Sequence, residues 1–187
     1  MKRNQVILIY GLPASGKYTM AKQLQEKDGG ILLDNHYFYD MFRNIIKVPQ
    51  ERKQEYFGKV AELRKVFLDI VKCFQTNQEG TRYIFTSTLI GDEKFPEILE
   101  KFAHDIKADF ISIGLSASDN ILLNRCETEY RKSRKKISNV EKYSKLLPDM
   151  KKKNLVCSNK NNFILNTDNM SEQETFEQIV NFLKTFD

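Results

Sequence analysis

The chain has 187 residues, of which 41% are hydrophobic, and a formal net charge of +5. This length suits one domain with a sizeable core, and the hydrophobic content excludes an intrinsically disordered chain. The longest apolar runs, VILIY and FISIGL, are too short to cross a bilayer, which argues against a membrane protein. The three cysteines lack metal-ligand spacing, and we expect a reducing, cytoplasmic location.

Five short apolar runs predict β-strands. The first, Gln5–Tyr10, is continuous and β-branched, as in a strand that is buried on both faces. The other four lie at residues 31–33, 82–86, 109–115 and 163–165. Because helical segments separate all five, the order predicts an α/β fold in three layers, with a five-stranded parallel sheet and helices on both faces. We expect a single domain spanning residues 1–187.

Three of the helical segments have clear signals. Gly16–Lys27 follows the first strand and ends before a Gly-Gly pair. A longer helix is predicted where apolar residues recur every three or four positions, at Tyr56, Val60, Leu63, Phe67, Ile70 and Phe74. The last helix begins at a capping box formed by Ser171 and Glu174. The chain also predicts two appendages, a helical substrate insertion at about 35–80 and a basic stretch at 125–160.

A glycine-rich loop lies between the first strand and the first helix. The sequence GLPASGK fits the phosphate-binding pattern G-x-x-x-x-G-K, and its strand-turn-helix context is the one that the pattern requires. Gly11 and Gly16 allow the backbone to wrap around a phosphate, and Lys17 is placed to neutralise the β- and γ-phosphates. We therefore expect the loop backbone, including Pro13, Ala14 and Ser15, to bind a nucleotide. The alternative is a plain turn with an exposed lysine.

Tyr18 stands where this pattern has a serine or threonine that ligates Mg²⁺. A tyrosine hydroxyl lies several ångströms further out, and Thr19 is turned about 100° around the helix, where it is suited to an α-phosphate. Because Mg²⁺ keeps several waters, the loss of one protein ligand need not abolish its binding. Tyr18 therefore weakens the case for catalysis more than the case for nucleotide binding.

Polar residues follow the second and third strands, at the sheet edge where α/β proteins bind ligands. Asp34 can act as a general base or hold a Mg²⁺-bound water, or it can simply cap the next helix. His36 and Arg43 are candidate substrate contacts, although a structural role for His36 is equally open. The third strand ends in Thr86-Ser87-Thr88 and lacks the usual terminal aspartate, which leaves Asp34 as the best candidate carboxylate.

The basic stretch contains three regularly spaced arginines, Arg125, Arg131 and Arg134. Phosphoryl transfer needs positive charge that closes over the γ-phosphate and excludes water, which an arginine lid at about 125–140 would supply. The alternative is a solvated helix face, and that is the preferred interpretation of Lys151–Lys153.

Together these residues resemble the small P-loop kinases, the adenylate, shikimate and gluconate kinase-like group. The segments LLDNHYFYD, YIFTST and NRCETEYR are similar to an uncharacterised bacterial branch of it, labelled as ATPase or shikimate kinase-like. The resemblance implies a P-loop NTPase fold with ATP and Mg²⁺. It also implies that Arg125 contacts the adenine and that Arg131 and Arg134 form the lid. Asp34 occupies the place of the catalytic base in relatives such as chloramphenicol phosphotransferase.

Three functions fit these observations. The first is a kinase that transfers the γ-phosphate of ATP to a hydroxylated small molecule, with Lys17, Asp34 and the lid arginines in catalytic roles. The second is a nucleotide-binding regulator with little or no transfer, which Tyr18 favours. The third is a polynucleotide 5′-hydroxyl kinase, but the basic residues around 35–60 are too few to favour nucleic acid as the partner. The sequence does not name the acceptor.

Overall fold

The computed structural model describes residues 3–43, 45–74, 79–127 and 137–186. Its five strands are β1 (Gln5–Tyr10), β2 (Ile31–Asp34), β3 (Arg82–Ser87), β4 (Asp109–Ser116) and β5 (Asn162–Asn166). They form one parallel sheet in the order β2-β3-β1-β4-β5. The predicted parallel sheet is confirmed, and four of the strands extend one or two residues beyond the predicted runs.

Helices cover both faces of the sheet. The α-helices in the described ranges are α1 (Lys17–Asp28), α2 (His36–Arg43), α3 (Lys53–Phe74), α4 (Phe95–Asp105), α5 (Asp119–Cys126), α6 (Val140–Lys152) and α7 (Glu172–Leu183). Short 3₁₀ turns lie at Gln50–Arg52 and Lys184–Phe186. The capping box at Ser171 and Glu174 is present and begins α7 as predicted. None of the helices in these ranges is long and apolar enough to cross a membrane.

The central strand β1 divides the core into two layers because its side chains alternate between the faces of the sheet. Val6 and Leu8 pack in a cluster with residues of α3 and α4, whereas Ile7 and Ile9 pack in a second cluster with residues of α1 and α7. A third cluster joins Leu12 of the loop after β1 to α5 and α6. The glycine-rich loop therefore begins at the central strand of the sheet and packs against α5 and α6.

The buried face of α3 differs from the row of apolar residues that predicts this helix. In α3 the buried positions are Val60, Arg64 and Leu68, spaced four apart, whereas Ile70 and Phe74, which belong to the apolar row, are exposed. The face that meets the sheet therefore includes a buried arginine. Of the three cysteines, Cys126 and Cys157 are buried and Cys73 is exposed.

Candidate active site

The loop after β1 adopts a conformation that few residue types allow. Gly11 and Gly16 have φ angles of 140° and 95°, and Ala14 has a φ of 67°. A Cβ atom at Gly11 would lie 2.2 Å from the carbonyl oxygen of Leu115, at the end of β4, so only glycine fits there. The loop closes on itself through a hydrogen bond from the Ser15 N–H to the Leu12 carbonyl, 3.2 Å long.

The N-terminus of α1 is suited to an anion. Its first turn contains no acidic residue. Its cap residue is Gly16, which has no side chain that could accept hydrogen bonds from the N–H groups of this turn. Lys17 is the first residue of the helix, and its Nζ donates to the Leu12 carbonyl at 2.7 Å, so the ammonium is held over the loop. Ser15 Oγ is buried and has no hydrogen-bond partner among the described residues. These features fit a bound triphosphate.

Asp34 lies at the end of β2, beside the end of β3. Its carboxylate is 4% exposed and accepts a hydrogen bond from Thr86 Oγ1 at 2.7 Å. The same oxygen lies 3.2 Å from His36 Nδ1 and 3.4 Å from the His36 backbone nitrogen at the start of α2. Asp34 therefore makes a weak cap-like contact, and its orientation is also fixed by Thr86. The hydroxyl of Ser87 accepts from the Leu89 N–H at 3.1 Å and is used in the turn after β3.

A buried polar cluster lies next to Asp34. Arg64 of α3 is 2% exposed; its Nη1 donates to Asn35 Oδ1 at 2.7 Å and its Nη2 to Asp92 Oδ1 at 2.8 Å. The guanidinium also stacks over the ring of Phe95, 3.8 Å from the centroid. Arg64 thus ties the turn after β2 to the loop after β3.

Burial in this cluster shifts two pKa values. It raises the pKa of the Asp92 carboxyl, and the Arg64 guanidinium opposes that rise. It also raises the pKa of the Tyr39 hydroxyl, and the Arg64 guanidinium again opposes the rise. Arg64 is therefore the cation that keeps this part of the site electrostatically balanced.

One cavity of about 930 Å³ joins these parts. The glycine-rich loop, Asp34 and the Arg64–Asp92 pair line it, and Arg125 lies at the side of α5 and β5. Arg125 donates to Thr167 Oγ1 at 2.9 Å and to the Thr167 carbonyl at 3.0 Å, so its side chain is fixed. The cavity lies beyond the carboxyl ends of the strands, where parallel α/β sheets bind ligands.

Solved structures share this architecture over the whole chain. A protein of Chloroflexus aurantiacus that is named as a candidate kinase aligns over 100% of both chains, with a TM-score of 0.69 and 16% identity. A gluconokinase from Sinorhizobium meliloti covers 99% of this chain and 94% of its own, with a TM-score of 0.58 and 9% identity. The chain has the small P-loop kinase fold.

Other structures with the P-loop kinase fold have known ligands. The APS kinase CysC of Mycobacterium tuberculosis, in complex with AMPPNP and APS, covers 98% of this chain and 99% of its own, with a TM-score of 0.58 and 14% identity. No family model matches the chain, and no curated protein sequence matches it. The resemblance to small P-loop kinases is therefore confirmed at the level of the fold.

In this P-loop kinase fold the predicted site residues are largely brought together. Lys17, Tyr18, Thr19, Asp34, His36 and Arg125 all line the main cavity, as do Pro13, Ala14, Ser15 and Gly16. Tyr18 is half-buried and packs against the core cluster between the sheet and α1. Arg131 and Arg134 lie outside the described residues, as does the side chain of Arg43, which ends α2. Their assigned roles stay predictions.

Sequence reasoning missed the Arg64 cluster. The residues that Arg64 contacts are 29 and 28 positions away along the chain, so no local pattern connects them. One signal was present, because Arg64 stands midway between Val60 and Leu68 on a single helix face. A charged residue at the centre of an apolar face indicates a buried partner of opposite charge.

Proposed function

We propose that the protein is an ATP-dependent phosphotransferase that moves the γ-phosphate to a hydroxyl group of a small molecule. The observation that carries this proposal is that the glycine-rich loop with Lys17 and the buried carboxylate of Asp34 line the same cavity. This arrangement supports a triphosphate site and a catalytic base that share one space. The small-molecule kinases that share the fold, among them the gluconokinase and a shikimate kinase of Acinetobacter baumannii, support the same reaction class.

Each residue has a defined task in this reaction. The main-chain N–H groups of Ala14, Gly16 and Lys17 hold the phosphates, and the Lys17 ammonium neutralises charge that grows on the β–γ bridge. Asp34 accepts the proton of the acceptor hydroxyl. The acceptor oxygen then bonds to the γ-phosphorus while the bond to the bridging oxygen breaks, and ADP leaves. Thr86 and His36 orient Asp34 for this task.

ATP would supply the phosphoryl group, and Mg²⁺ bound with it would supply positive charge to the phosphates. Asp34 is the carboxylate that would hold a Mg²⁺-bound water, and Thr19 is placed for the α-phosphate. No cluster of three metal-binding side chains lies within the described ranges, which fits an ion held mainly by phosphate oxygens and water. We assign the adenine contact to Arg125. Arg131 and Arg134 are assigned to a lid that spans about residues 125–140.

The test is a transfer screen. The protein is incubated with γ-labelled ATP, Mg²⁺ and fractionated metabolite pools, and label in a new phosphorylated product is measured against the Lys17→Ala variant. Transfer that depends on Lys17 supports the proposal. Absence of transfer to every pool, with ATP binding intact, would contradict it.

A regulatory nucleotide-binding protein is the second candidate, and the identity of Tyr18 favours it. The half-buried ring replaces the hydroxyl that usually ligates Mg²⁺, and β3 ends in Ser87 without a carboxylate. This candidate predicts ATP binding without turnover. Single-stranded DNA or RNA, which we expect not to bind, serves as a competitor in the same assay. The cytoplasmic location expected from the cysteines stays a prediction.

A further inference from the structure

A second cavity of about 370 Å³ adjoins the main one. The two cavities share three lining residues, His36, Tyr39 and Phe57. His36 also lies 3.2 Å from the carboxylate of Asp34, so the second cavity begins one side chain away from the candidate base. A molecule that places a hydroxyl at Asp34 therefore has room to extend into this space.

Three aromatic rings, those of Tyr39, Tyr56 and Phe57, form one side of the second cavity. The ring centroids of Tyr39 and Phe57 are 5.5 Å apart at an angle of 90°, and Tyr56 lies 6.4 Å from Tyr39 and 5.8 Å from Phe57. The Tyr56 hydroxyl donates to the Tyr39 carbonyl, which fixes α2 against α3. Edge-to-face clusters of this kind accept a further ring because they offer both ring edges and ring faces.

Tyr39 separates a polar region from an apolar one. It lines the main cavity together with Asn35 and Arg64, whereas its ring also belongs to the aromatic cluster of the second cavity. Phe57 is 46% exposed, so part of its ring faces the open cavity. A ligand that covered this ring would remove apolar surface from water, which is the main source of affinity in such a pocket.

The charges around the site disfavour an anionic acceptor. The guanidinium of Arg64 is already engaged by Asp92 and Asn35, with an ion-pair distance of 2.7 Å to Asp92 Oδ2. Asp34 and Asp92 both line the main cavity as carboxylates, and Lys17 is committed to the phosphate loop. Among the described residues that line the second cavity, the acidic Asp40 accompanies the basic Lys53, so neither sign dominates among them.

We propose that the acceptor is an uncharged hydroxyl compound that carries an aromatic ring, with the hydroxyl at Asp34 and the ring in the second cavity, against the exposed part of the Phe57 ring. The assignment of phosphoryl transfer rests on the proposed function, whereas the ring-binding pocket does not depend on it. The selectivity against anions comes from Asp92. Its carboxylate pairs with Arg64, the one buried cation that lines the main cavity among the described residues.

The pocket is tested by saturation-transfer NMR on the full chain, with and without AMPPNP. The probes are 2-phenylethanol, glycerol and 4-(hydroxymethyl)benzoate, which share a hydroxyl and differ in ring and charge. We expect 2-phenylethanol to bind at least fivefold more tightly than either of the other two. The Phe57→Ser variant should weaken it about tenfold, since one partly buried aromatic contact is lost. Phe74→Ser is the matched control, because Phe74 lies on the same helix and is 80% exposed.

A second variant tests the charge argument. Asp92→Asn keeps the shape and a hydrogen-bond acceptor for Arg64, and we expect it to bring the affinity for 4-(hydroxymethyl)benzoate close to that for 2-phenylethanol. Equal binding of all three probes to the wild type, no binding of 2-phenylethanol, or no effect of Phe57→Ser would overturn the proposal. Phe57-dependent binding without any transfer of label would instead leave the pocket standing and remove the kinase function. Transfer of label to an acceptor without a ring, unaffected by Phe57→Ser, would support the kinase function and rule out the ring-binding pocket.

Discussion

The two walls of the main cavity differ in how they are built. The phosphate wall is a contiguous segment, from Gly11 to Lys17, in which the backbone conformation itself makes the site. The acceptor wall is assembled from side chains of α2, α3 and the loop after β3, which meet through Arg64. A contiguous site imposes residue types at fixed spacing, whereas an assembled site imposes only complementary charges and shapes. Chemistry common to many proteins is therefore visible in the sequence, and specificity is not.

The largest effect is expected at the phosphate wall. Lys17→Ala should lower the rate of label transfer by about 10³-fold, because a preorganised charge facing the transferred group is lost. Its stability, measured by urea unfolding, should change by less than about 1 kcal/mol, since the lysine makes one partly buried bond to the Leu12 carbonyl. Lys22→Ala is the control, because Lys22 lies on the same helix and pairs at 3.4 Å with Glu26 on the surface. A loss of stability as large as the loss of activity would show that the loop is not the independent unit described above.

The acceptor wall should show the opposite behaviour. Arg64→Met leaves the Asp92 carboxylate buried without its cation, and we expect a loss of about 3 kcal/mol in the free energy of unfolding. Arg52→Met is the matched control: Arg52 pairs with Glu55 at 2.8 Å on the surface, where solvent screens the pair, and its loss should leave the free energy of unfolding close to that of the wild type.

Adding Asp92→Leu to Arg64→Met should recover part of the lost stability, because the unpaired charge is then removed. AMPPNP affinity, measured by calorimetry, should differ less than twofold between the Arg64→Met variant and the wild type. If both arginine substitutions cost the same, the Arg64 pair does not hold the acceptor wall together.

The same division explains what could be predicted from the sequence. The strand Gln5–Tyr10 and the capping box at Ser171 were found residue by residue, because a continuous apolar run and a helix cap both depend on neighbours a few positions away. Asp34 was placed correctly at a strand end for the same reason. Arg64 was missed, and Ile70 of the apolar row is exposed, because burial on α3 depends on which face meets α4 and the loop after β3. That orientation is a tertiary property, and no spacing rule within the helix contains it.

Asp34 is where the two walls meet, and its substitution separates chemistry from binding. Asp34→Asn should lower transfer by about 10²-fold, as expected for the loss of a general base, and leave the affinity for AMPPNP within about twofold of wild type. The amide still accepts from Thr86, so the turn into α2 should remain intact. Asp69→Asn, an exposed carboxylate on α3, is the control. Reduced nucleotide affinity with the chemical step unchanged would assign Asp34 to the metal instead of the acceptor.

Tyr18 gives the smallest expected effect and the sharpest test of the phosphate wall. Tyr18→Ser restores the hydroxyl that commonly ligates Mg²⁺, and we expect the Mg²⁺ concentration for half-maximal transfer to fall by about threefold. Tyr18→Phe removes only the hydroxyl and should leave that concentration unchanged, because a tyrosine oxygen lies several ångströms beyond the place that a serine oxygen would fill as a Mg²⁺ ligand. A loss of Mg²⁺ response in Tyr18→Phe would show that the tyrosine itself takes part in the site. The phosphate wall would then depend, like the acceptor wall, on a side-chain arrangement that its sequence pattern does not reveal.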